Sequence, residues 1–395
     1  MDMHVGKVRR LKASLPGTNL ELTGDYNQRL VYQAIRNKGP ITRNELIDLT
    51  GLAKPTIAGI VKRLLRSELV CETERIYGGR GQPAVTLEIN PKGCFSIGVS
   101  VGQDQIELAL IDAAGAALTC ARMALESRAP ARINEFFRRQ FAELGRDVDR
   151  SRIIGLGVAT SGRSRSVSNS LPASSANAVD LRALSSIARD LPVYLDSDLA
   201  AAAAGESLFG LGAAMQSYYY VLMDADPVGG LVIHQSLYRG AHPDQKKYLF
   251  PQADTQWCEQ AVRAEREARL SHRPPDRVDS EWLETACANL LPQLISINCL
   301  FDPEGVLIGG RVPQSWLEAM AARCNALIHE QAPHIPSHTP VQPARLAADA
   351  ALIGAASLPM RARLFPTNEA LLKTDSHAYD VGEHAQGWAK TRLRP

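Results

Sequence analysis

The sequence predicts an α/β protein in which an N-terminal winged helix-turn-helix precedes a larger body of alternating strands and helices. Three observations carry this expectation. Residues 25–90 read as a helix, a short helix, a basic helix and then two strands flanking a glycine-rich tip. Beyond residue 92, period-two apolar runs alternate with stretches of helical period. At 395 residues, the chain is long enough for two or three domains.

Composition narrows the class. A hydrophobic fraction of 45% with 22% charged residues fits a folded water-soluble protein, not a disordered or membrane-spanning one. No apolar run is long enough to span a bilayer, and Met1–Lys12 lack the apolar stretch of a signal peptide, so the expected location is cytoplasmic. Residues 1–92 hold 15 Lys+Arg and 9 Asp+Glu, leaving 29 and 33 for the remainder. The N-terminal part is therefore net +6 and the rest −4. That asymmetry fits a phosphate-binding head on a mildly acidic body, and equally a solvated charge face. Seven cysteines occur without a CxxC pair, which predicts reduced thiols and no metal centre.

The first helix follows Asp25-Tyr26-Asn27, with Leu30, Val31, Ala34 and Ile35 at helical spacing, and stops at Lys38-Gly39-Pro40. Thr42-Arg43-Asn44-Glu45 has the pattern of a capping box and opens a short helix over 43–50. Gly51-Leu52-Ala53 makes the turn. Pro55 suits the first turn of the next helix, although Ala53 or Lys54 at the N-cap forgoes the ~1 kcal/mol of a Ser or Thr. That third helix, about 54–66, buries Ile57, Ile60, Val61, Leu64 and Leu65. Its other face carries Lys54, Thr56, Ala58, Gly59, Lys62, Arg63 and Arg66. Small residues between cations let a helix lie deep in a major groove while the cations reach phosphates. Two strands, 69–72 and 84–89, flank Tyr77–Pro83. Arg80 and Gln82 there make a wing able to enter an A·T-rich minor groove; the same run also reads as a plain glycine-rich hairpin loop.

The order Thr42-Arg43-Asn44-Glu45-Leu46, Thr50-Gly51-Leu52, Lys54-Pro55-Thr56-Ile57 and Gly79-Arg80-Gly81-Gln82-Pro83 resembles the ROK family of repressors, open reading frames and sugar kinases. Its xylose and N-acetylglucosamine repressors have this head; its sugar kinases lack it. The resemblance runs to about Pro359 and implies a body with two actin-like, hexokinase-like lobes around a cleft. The domains expected are an arm over 1–24, the head over 25–91, the body over 92–359 and a polar tail over 360–395.

Within the body, strands are expected over 94–102, 105–112, 117–125, 153–159, 192–198, 217–223, 230–235 and 304–310. An Ala-rich helix is expected over 199–208, and a final helix over 347–358 whose Gly354 allows close packing. The chemistry implied by the resemblance is eroded. Ser100 stands where the kinases carry an Asp, and Gln103-Asp104 where they carry Gly-Thr. Asp224, Asp226 and Pro227 replace the second phosphate loop, where anions repel phosphate and proline lacks an N–H. Ser197-Asp198 replaces the family's Asn-Asp, Lys247 its sugar-binding Glu and Phe250 its zinc-binding His. Ser197, Asp198 and Lys247 remain the candidate effector residues. Lys246-Lys247 reads either as a site for an anionic ligand or as a solvent-facing loop beside a vestigial pocket.

Two functions follow as expectations. The first is a DNA-binding transcriptional regulator, a repressor with a non-catalytic body. It would bind a palindromic, A·T-rich duplex operator as a homodimer or dimer of dimers, respond to a sugar or sugar derivative, and need no cofactor or metal. The alternative is a ROK-type sugar kinase carrying a DNA-binding extension. The altered phosphate loops favour the first.

Overall fold

The computed structural model describes residues 20–76, 84–102, 105–125, 129–144, 146, 148–160, 181–188, 191–241, 249, 256–271, 278–331 and 338–366. Helix α1, Leu20–Lys38, begins inside the segment assigned to the arm, so the head starts earlier than its apolar stripe indicates. Strand β1 (Ile41–Thr42) leads into α2 (Arg43–Thr50), which opens on the expected capping box: Glu45 N–H donates to the Thr42 hydroxyl, and the Glu45 carboxylate accepts from Thr42 N–H at 2.7 Å. Gly51, at φ +68°, ends α2 in the left-handed conformation that glycine adopts without strain. Helix α3 (Lys54–Arg66) starts from Ala53 with no side-chain cap, and Ile57, Ile60, Val61 and Leu64 are buried. Strands β2 (Val70–Ile76) and β3 (Ala84–Ile89) complete a three-stranded sheet ordered β1-β3-β2.

The body repeats one plan twice. In its first lobe, β4 (Phe95–Val101), β5 (Gln105–Asp112), β6 (Ala117–Ala124), β7 (Ile153–Thr160) and β8 (Val193–Ser197) form a sheet ordered β6-β5-β4-β7-β8. Helices α4 (Pro130–Glu143) and α5 (Leu181–Ala188) follow β6 and precede β8. Helix α6 (Asp198–Phe209) then crosses to the second lobe. There β9 (Ser217–Met223), β10 (Val228–Ile233), β11 (Ser236–Leu237), β12 (Val306–Gly310) and β13 (Val341–Pro343) are ordered β11-β10-β9-β12-β13. In both sheets the first three strands in sequence pair antiparallel and the last two join in parallel. Helices α7 (Gln256–Ser271), α8 (Ser280–Phe301) and α9 (Gln314–Gln331) belong to the second lobe. Helix α10 (Ala350–Leu364) returns to the first and runs beyond the expected body boundary.

Glycines decide where α10 lies. A β-carbon at Gly157 would fall 1.8 Å from Ala355 O, and one at Gly98 2.5 Å from Leu352 O, so α10 presses directly on β7 and β4. One at Gly354 would meet Ala201 O at 1.9 Å, which locks α10 against α6. The expected close-packing role of Gly354 is thus the observed one.

Head and body are not separately cored. Val31, Tyr32, Ile35, Leu64 and Leu69 of the head join Cys94, Ile111, Leu208, Met360 and Phe365 of the body in one continuous apolar cluster. Tyr32 meets Phe365 edge-on, with ring centroids 5.6 Å apart. The composition shift near residue 92 marks a change of fold without marking a break in packing.

Candidate nucleic-acid interface and interlobe cleft

The apolar stripe of α3 turns its remaining face outward. Lys54, Thr56, Ala58, Lys62, Arg63 and Arg66 are exposed, and Gly59 is half-buried. A β-carbon at Gly59 would meet nothing within 4 Å. Internal packing therefore does not require this glycine, although it costs a helix interior about 0.5–1 kcal/mol relative to alanine. Two of the candidate cations are held within the protein. Arg43 Nη2 pairs with Glu72 at 2.7 Å, and Arg63 Nε donates to Gln28 Oε1 at 2.9 Å. Each keeps other guanidinium N–H groups that this partner does not use. Arg80 and Gln82 of the expected wing lie outside the described residues.

The cleft is built where strand ends of the two lobes meet. Ser197 caps α6, its hydroxyl accepting from Ala200 N–H at 3.2 Å, and Asp198 is the first residue of that helix, its carboxylate accepting from Leu199 N–H at 2.8 Å. Both are half-buried. The preceding Asp196 receives both terminal nitrogens of Arg239, one at 3.1 Å. Lys247, with Lys246, and Phe250 lie outside the described residues, as do Gln103 and Asp104.

In the same sheet, Ser100 is buried in β4, opposite Glu107 of β5 and Ala159 of β7, and Ala159 is in turn opposite Asp196. Asp224 follows β9 and Arg311 follows β12; they pair at 3.3 Å, both largely shielded from solvent. The same guanidinium lies against the end of β4, where a β-carbon on Gly102 would fall 2.5 Å from it. This corrects the electrostatic expectation. Asp224 is not a lone anion repelling phosphate, because Arg311 neutralises it. The Arg311 guanidinium thus lies between Asp224, after β9, and the end of β4. Gly229 and Gly230 lie within β10, paired with Val221 and Tyr220, and their missing side chains make room for Tyr219 and Leu237.

A second ionic link ties the lobes together. The nearly buried Glu107 accepts from Arg122 Nε at 2.8 Å and lies 3.8 Å from Arg269 of α7, which also donates to Asp349 at 2.8 Å. Arg311, Arg239 and Glu107 escaped sequence reasoning because they are single residues with no local spacing; their partners are 87, 43 and 15 positions away. Among the described residues, no three His, Cys, Asp or Glu side chains gather as a metal site. Cys258 is buried in α7. Also among the described residues, no helix is long and apolar enough to cross a membrane.

Comparison with known proteins agrees with this geometry. The family model for the ROK family matches residues 96–243, and that for winged helix-turn-helix DNA-binding matches residues 25–70. An uncharacterised protein, y4fQ of Sinorhizobium fredii, is 26% identical over 306 residues, covering 72% of this chain and 78% of that one. The xylose repressor of Bacillus subtilis is 28% identical over 218 residues, 54% of this chain and 57% of the repressor. The transcriptional repressor Mlc of Escherichia coli is 25% identical over 219 residues, 52% of each chain. The match thus spans little more than half the length of these two repressors. A crystal structure described as a ROK family transcriptional regulator, homolog of E. coli Mlc, superposes with a TM-score of 0.61 at 22% identity, over 87% of this chain and 97% of that one. The chain carries a ROK-family domain joined to an N-terminal winged helix-turn-helix DNA-binding domain.

Proposed function

We propose that the protein is a DNA-binding transcriptional repressor whose ROK-like body senses a ligand or assembles subunits and does not phosphorylate sugars. The outward face of α3 carries this reading: exposed Lys54, Lys62 and Arg66 surround a glycine that the fold itself does not need. The likeness to xylose repressor and Mlc supports it. DNA contacts are assigned to Arg43, Lys54, Thr56, Ala58, Gly59, Lys62, Arg63 and Arg66, with Arg80 and Gln82 on the wing. The operator is duplex DNA, palindromic and A·T-rich, bound by a homodimer or dimer of dimers. The effector is a sugar or sugar derivative meeting Ser197, Asp198 and Lys247.

The non-catalytic assignment rests on Ser100 and on the Arg311–Asp224 pair. A kinase needs backbone N–H groups turned toward phosphates and an acidic metal anchor. Here the position expected for that anchor is a buried serine, and a guanidinium lies between Asp224 and the end of β4.

The decisive experiment is selection from a random duplex pool with the full chain, followed by salt titration of binding to the enriched sequence. Enrichment of one palindrome with salt-sensitive affinity is expected. Absence of any enriched sequence, or ATP turnover that depends on added sugar, would overturn the reading.

A further inference from the structure

Two arginines of α1 reach out of the head toward the body. Arg29 and Arg36 are seven residues apart, two turns of one helix, and so lie on one face. Arg29 Nη1 donates to Ala362 O at 2.8 Å and to Phe365 O at 3.3 Å, at the C-terminal end of α10. Arg36 donates to Leu208 O at 3.1 Å, at the C-terminal end of α6, and to Ala113 O at 2.7 Å in the turn between β5 and β6. Its guanidinium carbon stands 4.5 Å from the centre of the Phe209 ring. That ring is seated against Gly115, where a β-carbon would fall 2.2 Å from it. Both arginines therefore dock on helix C-termini, where carbonyls lack partners in the helix and the dipole favours a cation.

The shared apolar core holds the head on the body, but apolar burial is non-directional. The planar guanidinium fork is directional, and two such points on one rod fix an angle. We propose that Arg29 and Arg36 form a two-point mount that sets the orientation of the DNA-binding head on the body. They act as positioning residues, without touching DNA, and through them the spacing of the two half-sites of an operator is read. The far end of α6 from Arg36 is Ser197-Asp198, the candidate effector site, so one mounting point stands on the helix that begins in the cleft. This inference rests on the DNA-binding reading.

The test uses the full chain and the duplex it enriches from a random pool. Affinities are measured for that duplex, for versions with one to three base pairs inserted between half-sites, and for a single half-site. One inserted pair turns the half-sites by about 34° relative to each other, and we expect it to cost the unaltered protein about tenfold in affinity. In Arg29→Ala/Arg36→Ala the same insertion should cost about threefold or less, with single-half-site affinity kept within about twofold. Arg29→Lys/Arg36→Lys should fall between, since lysine keeps the charge and loses the fork. If the alanine pair does not fold, the lysine pair decides: an insertion cost clearly below the roughly tenfold of the unaltered protein supports the mount. A spacing profile unchanged in the folded variant, a flat profile in the unaltered protein, or half-site affinity that falls as much as full-site affinity would overturn the mount. Failure of the unaltered protein to enrich any duplex would instead remove the DNA-binding reading, and the mount with it.

Discussion

Replacing Gly59 by alanine separates what the fold needs from what DNA needs. Gly59 lies in the interior of α3 with ordinary helical backbone, and a β-carbon there would meet nothing within 4 Å. Inside the protein the added methyl group is therefore free of clash. It also removes the entropic penalty of a helical glycine, so Gly59→Ala should stabilise the protein by about 0.5–1 kcal/mol. Against DNA the sign reverses. If the backbone of α3 approaches the groove floor at Gly59, one methylene-sized insertion into a packed interface costs roughly 1–3 kcal/mol, a loss of about 5- to 150-fold in affinity. The assays are urea unfolding of the full chain and fluorescence anisotropy with the enriched duplex. A variant more stable and weaker-binding is the expected result. A variant that binds DNA within about twofold of the original would show that this face of α3 does not enter the groove. A destabilised variant would refute the packing argument itself.

Lys62→Ala should weaken binding to most sequences and lower the slope of log K against log salt by about 0.9 for each phosphate that the lysine neutralises, or about 1.8 for a symmetric dimer; an unchanged slope would remove Lys62 from the interface. Burial pushes the Cys94 thiol up to about 12, so under native conditions a thiol reagent at neutral pH should label the exposed Cys299 and leave Cys94 intact; rapid labelling of Cys94 would contradict the joint head–body core. Desolvation raises the pKa of the fully buried Glu206 above its ordinary value of about 4.3, so the folded state holds that proton more tightly than the unfolded one. The resulting stabilisation is present below about pH 4.3 and is lost as pH rises through the folded value. Glu206→Gln lacks this titration, so the urea midpoint of the original protein should fall relative to the variant as pH is raised from about 4 to about 7; a constant or opposite difference would contradict the shift.

What could be read in advance was local. The capping box at Thr42 and Glu45, the turn at Gly51 and the stripe of α3 each occupy one short window, and period and capping chemistry specify them without tertiary help. Body strands were legible for the same reason: β4, β5, β9 and β12 are dense in apolar residues and end at glycine, Asp-turn or charged positions. The start of α1 at Leu20 was not legible, because the residues before Asp25 lack a clear apolar period. Nor was the joint core of head and body. Tyr32 and Arg36 look like ordinary positions on an amphipathic helix until Phe365 and Leu208, far along the chain, are folded against them. The cleft followed the same rule. The departure from the glycine loops that the resemblance implies was visible, but Arg311, which turns Asp224 from an anion into half of a neutral pair, was not.

The packing also links both lobes to the head. Helix α6 contributes Leu199, Ala202 and Ala203 to the core of the second sheet, with Tyr218, Tyr220 and Leu222, while α10 lies on the first sheet through Gly98 and Gly157. The two helices touch backbone to backbone at Gly354 and Ala201, where no side chain can flex to absorb a shift. Glu206 adds a second tie, accepting from Leu346 N–H at 2.6 Å and Leu211 N–H at 3.1 Å. A rigid pair of helices thus joins the lobes, and α1 stands on its C-terminal ends through Arg29 and Arg36. From Asp198 to Phe209, α6 extends about 17 Å, so its first turn and the carbonyl that Arg36 contacts stand at opposite ends of one helix. A phosphate-transfer site must keep glycine loops free for its substrate. A body whose output is the angle of a head, as proposed for this chain, needs only two lobes and a helix pair between them.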